Sequence, residues 1–372
     1  MGFMIQAIGP ASASRGSYHG VNSGKSLHAQ NALSGRISFA GKPYEHFPKT
    51  PFQQGLFYRH VIEPIERHVI YRPHSAYSIP ELTEEKKDFL FNTHGMEVIQ
   101  SPEGYGNFHA LFLPPKGNKP VMIFSYGSAC NANRAMSEMA EVFAPKGYGL
   151  MVLENAGFGS HQDVRPNEQR LYQEAEEAYR YLTTEKQIPS SRIIISGFSL
   201  GSAVATYLSQ HHPNALLTVL FSPMTNLTDV TKNLLQQKHD RIGIMRHAIR
   251  HLLPYMQQQY DSSERLPEMK SPLMIYVGEK DSQMPADKFA KPILNQTTGI
   301  PASQKKLILV RDARHRNLLQ TIKHQGDRII DEMETFLAPI AHHHHASTQK
   351  PSSLKLSTRE QKHLEQQAEG VA

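Results

Sequence analysis

A single cysteine, Cys130, is present among the 372 residues of the sequence. One thiol cannot form a disulfide within the chain, so the composition gives no indication of an oxidising compartment. No apolar stretch approaches the roughly 18–20 residues that a helix needs to cross a bilayer. These absences disfavour a disulfide-stabilised secreted protein and a transmembrane protein.

The N-terminal segment also has few features of a targeting signal. It lacks an early positive charge and a long apolar run, which disfavours a secretory signal peptide. Gln6 stands where N-myristoylation would need Ser or Thr. We therefore expect a protein that works in the cytoplasm.

The charge of the chain is mildly positive, with a formal net charge of +6. Nucleic-acid-binding proteins concentrate their basic residues on one face or stripe, and no such run is present, so we expect no nucleic-acid partner. The apolar share of 39% is below the usual level for a globular domain. This deficit indicates polar segments outside the core.

The composition predicts three parts. Residues 1–80 form an irregular N-terminal arm, in which the stretch around Pro64 fits either a short helix broken by the proline or an extended segment. Residues 81–340 carry the main domain, and 341–372 form a polar tail that we expect to be disordered. The histidines at 342–345 lack the mixed spacing of a zinc site, so no metal role is assigned. They are also too few and too far from the terminus for a clear expression tag.

The main domain alternates apolar runs of strand length with segments of helical period, which predicts a parallel sheet covered on both faces. A turn at His94–Gly95 between two apolar runs first predicts a hairpin. The predicted strands are 107–115, 120–127, 149–157, 192–197, 216–223, 272–278 and 305–310, and the predicted helices are 131–146, 166–185, 200–210 and 325–338.

One interval is longer than an ordinary crossover connection. About fifty residues separate the strands at 216–223 and 272–278, where a dozen or more would be enough. The excess predicts a cap or lid at about 225–268. Apolar residues recur there at helical spacing, which fits either a surface helix packed by its apolar stripe or a lid lining an acyl-binding cleft. They are Ile242, Met245, Ile249, Leu252 and Leu253.

The sequence Gly197-Phe198-Ser199-Leu200-Gly201 has the pattern G-x-S-x-G. A serine hydroxyl becomes a good nucleophile when a base takes its proton. A sharp turn from strand to helix exposes such a serine, and the small glycines allow that turn to be tight. The motif alone is weak, but here it follows a predicted strand and precedes a predicted helix. Ser199 is therefore the candidate nucleophile.

A general base and an acid should follow the nucleophile in the order Ser, Asp, His. Asp281 comes just after the strand at 272–278, and His315 just after the strand at 305–310. Parallel strands place such a site at their carboxyl ends, so we expect His315 to accept the Ser199 proton and Asp281 to orient the imidazole. Glu279 and Asp312 are weaker candidates for the acid, and Asp312 fits a surface charge better.

An oxyanion hole needs two backbone N–H groups. One should come from Leu200, which follows the nucleophile, and the other from Ser128, in the loop after the first inner strand. The common form of that loop begins His-Gly, whereas this chain has Tyr126-Gly127. The difference leaves the backbone donor in place but changes how the turn is anchored. Nearby Cys130 fits a small packed residue better than a redox role.

Residues from about 88 to 338 resemble the α/β-hydrolases, in the branch of lipases, esterases and dienelactone-hydrolase-like enzymes. The motifs follow one another in order: YGS at 126–128, ENAGFGSH at 154–161, GFSLG at 197–201, GEKDSQMP at 278–285 and ARHRN at 313–317. The resemblance implies a mostly parallel twisted sheet with helices on both faces and a helical cap. It also implies acyl transfer to water through an acyl-enzyme, without a cofactor.

The expected function is hydrolysis of a carboxylic ester, with a small-molecule ester or acyl substrate. The apolar stripe of the predicted cap favours lipid-like esters and leaves room for peripheral contact with a membrane. A thioesterase or peptidase would use the same residues, and fold does not separate these activities. A different alternative is a binding protein or bacterial effector on the hydrolase scaffold, whose polar ends serve partner binding or delivery into a host cell. The sequence gives no indication of oligomeric state.

Overall fold

The computed structural model describes residues 55–56, 58–71, 82–128, 130–236, 256–324 and 328–348. At its centre is an eight-stranded sheet in the order β1-β2-β4-β3-β5-β6-β7-β8. The strands are β1 (Glu97–Gln100), β2 (His109–Leu113), β3 (Val121–Ser125), β4 (Gly149–Glu154), β5 (Ile193–Phe198), β6 (Leu217–Phe221), β7 (Leu273–Gly278) and β8 (Lys305–Val310).

The sheet is mostly parallel, as predicted. Strand β2 pairs antiparallel with both β1 and β4, and the strands from β4 across to β8 are parallel. Every residue of β3 and β7 is buried, because these strands are covered on both faces. The carboxyl ends of β3, β5, β6, β7 and β8 therefore meet at one edge of the sheet.

Helices cover both faces of the sheet, which confirms the layer arrangement predicted from the alternating pattern. On one face pack α3 (Ala132–Phe143), α8 (Leu318–His324) and α9 (Arg328–Thr348), and on the other α4 (Glu168–Thr184), α5 (Leu200–His211) and α7 (Ala290–Gln296). Two shorter helices, α1 (Glu63–Ile70) and α2 (Glu84–Lys87), precede the sheet, and α6 (Leu227–Gln236) follows β6. No described helix has the length and apolar character to cross a membrane.

The predicted hairpin around His94–Gly95 is wrong. Helix α2 continues as a π-helical stretch over Asp88–Thr93, so only the second half of the segment is a strand, and that strand, β1, pairs with β2. The Thr83 side chain caps the helix by accepting a hydrogen bond from the Lys86 amide. A short apolar run fits a strand and a buried helix equally well, and here it continues a helix that begins at Thr83.

The stretch around Pro64, for which the sequence left a short helix and an extended segment open, is helical over residues 58–70. A π-helical turn, Tyr58–Ile62, leads directly into α1, with Pro64 in its first turn. Proline fits there because the first helical amides have no partner within the helix. Ile62 and Ile70 are buried, so the segment packs against the main body. Residues 1–54, 57 and 72–81 lie outside the described part of the chain.

The predicted cap at about 225–268 is described only at its two ends, by α6 and by residues 256–268. The apolar stripe from Ile242 to Leu253 lies outside the described residues, and the cap remains a prediction. At the C-terminus, α9 continues to Thr348 with Pro339 inside the helix, so the expectation of a disordered tail from 341 is wrong for the first eight residues. Ile340, just past the proline, is buried and keeps the helix packed. Residues 349–372 are outside the described range.

Candidate active site

Ser199 lies on the sharp turn between β5 and α5. Its backbone has φ of +54° and ψ of −120°, a conformation that a non-glycine residue adopts only when its surroundings hold it there. The Ser199 amide donates to the Phe221 carbonyl over 3.0 Å. A Cβ on Gly197 would clash with the Gly201 carbonyl, and one on Gly201 with the Ser125 carbonyl. The two motif glycines are therefore required by close backbone approach.

A second serine, Ser202, supports this turn from inside. Its hydroxyl donates to the Ser199 carbonyl at 2.6 Å and accepts from the Met224 amide at 3.1 Å. It is almost fully buried. Together, these two hydrogen bonds link the turn that carries Ser199 to the chain after β6. Sequence reasoning missed this residue, since a serine in the first turn of a helix gives no signal of its own.

His315 bridges the other two predicted residues. It opens a 3₁₀ turn just after β8, and its Nε2 lies 3.1 Å from Ser199 Oγ while its Nδ1 lies 2.8 Å from Asp281 Oδ2. An ionised carboxylate only accepts hydrogen bonds, so Nδ1 carries the proton in this arrangement and Nε2 of the neutral ring is free to accept one. Asn317 fixes the turn, because its side-chain oxygen accepts from the Arg314 amide at 2.7 Å.

Asp281 is held by donors on several sides. Besides His315, its Oδ2 accepts from the Ser222 hydroxyl at 2.7 Å, and its Oδ1 accepts from the amides of Gln283 and Met284 at 2.9 and 2.8 Å. Burial alone would raise the pKa of Asp281, but the hydrogen bond and charge of His315, with the Met284 and Ser222 donors, hold it below its usual value. The carboxylate is therefore ionised at neutral pH.

The two weaker candidates for the acid, Asp312 and Glu279, make other contacts. Asp312 is exposed and pairs with Lys280, which matches the surface charge expected for it. Glu279 accepts a hydrogen bond from the Asp312 amide at 3.3 Å. The structure therefore brings Asp281, and neither of these carboxylates, to His315.

The loop after β3 lies directly against the nucleophile. A Cβ added to Gly127 would be 2.9 Å from the Cβ of Ser199, and Ser128 is the next residue. On the other side, Leu200 is buried at the start of α5. The two predicted oxyanion donors therefore belong to backbone that flanks Ser199, and the N-terminus of α5 adds a favourable dipole for negative charge there.

Cys130 is half-buried in the same loop. Burial, together with the charge of Glu138, raises the pKa of its thiol to about 12. The thiol is thus protonated at neutral pH, which removes its nucleophilic character. Among the described residues, no cluster of three or more histidine, cysteine or carboxylate side chains is placed to hold a metal ion.

Comparison with known proteins shows which families and enzymes the chain resembles. Residues 117–246 match the family model described as serine aminopeptidase, S33. An uncharacterized protein of Mycobacterium tuberculosis is 27% identical over 228 residues, covering 60% of this chain and 72% of that protein. The thermostable monoacylglycerol lipase of Bacillus sp. (strain H-257) is 22% identical over 240 residues, covering 59% of this chain and 92% of the lipase.

A solved structure shares the fold. The α/β-hydrolase from Vibrio vulnificus superposes with a TM-score of 0.58 at 17% sequence identity, and the match covers 73% of this chain and 93% of that one. At this level of identity, the likeness concerns the fold alone. The mostly parallel eight-stranded sheet and this structural likeness together show that the chain has the α/β-hydrolase fold.

Proposed function

We propose that this chain is a serine hydrolase that cleaves a carboxylic ester through an acyl-enzyme, with Ser199 as nucleophile, His315 as general base and Asp281 as the orienting acid. The observation that carries the proposal is the hydrogen-bonded series from Ser199 Oγ to His315 Nε2, and from His315 Nδ1 to Asp281 Oδ2. A nucleophile, a base within reach of it and a third group that orients the base are the parts that this chemistry requires.

The acylation half of the reaction follows from this arrangement. His315 Nε2 takes the proton of Ser199 as the hydroxyl oxygen attacks the ester carbonyl, and ionised Asp281 stabilises the imidazolium. The amides of Leu200 and Ser128 hold the tetrahedral oxyanion. His315 then gives the proton to the leaving alcohol as the carbon–oxygen bond breaks.

The deacylation half repeats these steps with water. His315 removes a proton from the water molecule that attacks the acyl carbonyl, and the collapse of the second tetrahedral intermediate returns that proton to Ser199. No bond to a metal or cofactor is needed in either half. The proposed residues alone therefore account for a complete cycle.

The choice of an ester is supported by the similarity to a monoacylglycerol lipase, whose name describes an acyl ester substrate. The matched family model supports an alternative, because its description is that of an aminopeptidase. Thioester cleavage would use the same residues. Matched ester, thioester and amide substrates with one acyl group separate these activities, and we expect the ester to give the highest kcat/KM.

The test of the nucleophile is labelling with a fluorophosphonate probe. We expect the wild-type protein to be labelled on Ser199, identified by mass spectrometry of the modified peptide, and Ser199→Ala to be unlabelled with kcat lowered by at least about 10³-fold.

Ser196→Ala is the matched control for this experiment. Ser196 is a buried serine three residues earlier on β5, and its hydroxyl has no hydrogen-bond partner among the described residues. Labelling and activity should persist in that variant. A folded wild-type protein that takes up no probe, or labelling that survives in Ser199→Ala, would exclude Ser199 as an activated nucleophile.

A further inference from the structure

The side chains of Tyr126 and Glu154 form a buried hydrogen-bonded pair beside the candidate site. Tyr126 directly follows β3 and Glu154 is the last residue of β4, so the pair joins the carboxyl ends of two neighbouring strands. The Tyr126 hydroxyl donates to Glu154 Oε1 and accepts from the Asn155 amide at 3.2 Å. Tyr126 and Glu154 are 1% and 6% exposed, so water does not compete for these bonds.

Glu154 binds the loop after β3 at a second point. Its Oε1 also accepts from the Ala132 amide at 3.2 Å. One carboxylate oxygen therefore holds the two ends of a short segment, and Ser128 lies between them. The backbone that carries the Ser128 amide is thus tied to β4 at both ends.

The carboxyl group has little freedom to move. A Cβ on Gly159 would clash with it, which shows how closely the backbone of the 154–161 loop approaches. The ring of Phe158 packs edge-on against Tyr126 with 6.3 Å between the centroids. Burial raises the pKa of Glu154, as expected for a carboxyl enclosed in this way.

The same loop is in contact with the nucleophile. Gly127 lies against Ser199, as described above, and a Cβ on Gly201 would be 2.7 Å from the Tyr126 carbonyl oxygen. A shift of the backbone at 126–128 would therefore change the position of the Ser128 amide relative to Ser199 Oγ. Oxyanion donors act only when they are placed within about 2.7–3.1 Å of the developing charge.

We propose that Tyr126 and Glu154 are positioning residues that set the oxyanion-binding amide of Ser128 against Ser199. This inference rests on the proposed serine hydrolase function and extends it to the support of the oxyanion hole. Neither side chain touches the reacting atoms. Their effect is on the transition state, because the ground-state carbonyl depends less on these donors than the oxyanion does.

The test compares two tyrosine-to-phenylalanine variants. Tyr126→Phe removes the hydroxyl that binds Glu154, and Tyr148→Phe removes a hydroxyl that donates to Glu334 at 3.0 Å, just before β4 and at the opposite end of that strand. Both changes delete one tyrosine–glutamate hydrogen bond. Only the first should affect the candidate site.

The expected result separates positioning from general structural damage. With a short-chain p-nitrophenyl ester, we expect Tyr126→Phe to lower kcat by about 10- to 100-fold with KM within about threefold of wild type. Affinity for a trifluoromethyl ketone, whose adduct with Ser199 carries an oxyanion, should fall by a similar factor. Tyr148→Phe should leave both quantities within about twofold of wild type.

A second variant keeps the proposal testable if Tyr126→Phe fails to fold. In Glu154→Gln, the amide oxygen can accept from both Tyr126 and Ala132, so kcat should stay within about fivefold of wild type, whereas Glu154→Ala should lose at least tenfold. Unchanged ketone affinity in folded Tyr126→Phe, or equal losses in Glu154→Gln and Glu154→Ala, would overturn the positioning role. A wild-type protein without fluorophosphonate labelling would instead contradict the proposed function itself.

Discussion

Two serines at the candidate site have strained backbone conformations. Ser199 and Ser222 have φ of +54° and +41°, and each is held by a backbone hydrogen bond: Ser199 to the Phe221 carbonyl at 3.0 Å, and Ser222 to the Tyr276 carbonyl at 2.7 Å. Strain of this kind costs about 1–3 kcal/mol at each residue and persists only where the surrounding structure fixes it. Here it directs both hydroxyls toward the His315–Asp281 pair.

Removal of the Ser222 hydroxyl should weaken this pair. We expect Ser222→Ala to lower kcat/KM by about 3- to 10-fold, since a hydrogen bond to a charged group contributes about 1.5–3 kcal/mol and Asp281 keeps its other donors, His315, Gln283 and Met284. The Ser222 bond helps to keep the pKa of Asp281 low, so its loss makes the carboxylate easier to protonate. The fall of kcat/KM that accompanies protonation of Asp281 should therefore begin at higher pH, as measured by steady-state kinetics extended below pH 4.

A glycine at position 222 separates the kinetic effect of losing the hydroxyl from the effect of backbone strain on stability. Ser222→Gly also lacks the hydroxyl but adopts positive φ without cost, so it should show the same kinetic loss with less loss of stability than Ser222→Ala. Ser101→Gly is the control for this change, because it replaces an exposed serine with φ of +45° in the β1–β2 connection, away from the candidate site. If Ser222→Gly kept the wild-type pH profile, the hydroxyl would have no role in holding Asp281.

At the residue scale, the sequence indicated those residues of the candidate site that lie in a motif or follow a predicted strand. Ser199, Asp281 and His315 were predicted because each lies in the turn or loop after a strand that was recognisable as an apolar run. Ser222 and Ser202 were not, because nothing local marks them. Ser222 reaches Asp281 only through the pairing of β6 with β7, which sets Phe221 opposite Tyr276, and such register is a property of the assembled sheet.

At the element scale, α1 is tied to the body by a buried carboxylate. Glu66 Oε1 accepts from the amides of Gln257 and Gln258, both at 2.6 Å, and its Oε2 accepts from the Tyr58 hydroxyl at 2.7 Å. Glu66 is fully buried. The helix is thus attached to the segment that leads from the predicted cap back to β7.

Loss of the Glu66 carboxylate should destabilise the whole protein. Glu66→Ala leaves the backbone N–H groups of Gln257 and Gln258 without their acceptor, and each unsatisfied buried group costs about 1–3 kcal/mol. We expect the free energy of unfolding to fall by about 2–4 kcal/mol, as measured by urea denaturation. Glu66→Gln keeps one acceptor oxygen for the two amides and should lose less than half of that amount.

The control for this prediction lies on the same helix. Glu63 is only loosely paired, 3.9 Å from Arg165 with both side chains accessible to water, and Glu63→Ala should cost less than about 1 kcal/mol. Equal destabilisation by Glu63→Ala and Glu66→Ala would mean that the favourable interaction of first-turn carboxylates with the helix dipole, and not the buried hydrogen bonds of Glu66, accounts for the loss.

Parallel strands were predicted from the sequence more successfully than the helices at 88–93 and at the end of α9. The parallel strands were predicted well, because a strand covered on both faces has a continuous apolar run that turn residues delimit. The stretch at 88–93 was mistaken for a strand because its short apolar run fits both structures. Helix α9 was predicted to end at 338, but it continues through Pro339, and Ile340, the residue after the proline, is buried.

At the scale of the whole molecule, one buried pair gives stability a distinct pH dependence. Burial raises the pKa of Glu174 to about 8, and burial with the charge of nearby His109 lowers the pKa of His161 to about 4. The two side chains face each other with 3.8 Å between His161 Nδ1 and Glu174 Oε1. Arg170, 4.0 Å from the same carboxyl, and Glu177, through its charge, also act on Glu174.

The signs of the two contributions follow from proton linkage. Between pH 4.5 and 8 the folded state holds the Glu174 proton more tightly than the unfolded state does, so stability from this group is lost as pH rises through that range. Between pH 4 and 6.5 the unfolded state holds the His161 proton more tightly, so stability from that group increases with pH. The two effects oppose each other below pH 6.5, and only the loss from Glu174 remains between pH 6.5 and 8.

Glu174→Gln should remove this loss, because glutamine has the shape of the protonated carboxyl and does not ionise. We expect the free energy of unfolding of Glu174→Gln, relative to wild type, to increase by about 1–2 kcal/mol between pH 6.5 and pH 8, measured by urea denaturation at both values. Glu185→Gln makes the same charge change at an exposed residue just after α4 and should show no such increase. A constant difference between Glu174→Gln and wild type across this range would show that Glu174 is already ionised at pH 6.5 in the folded protein.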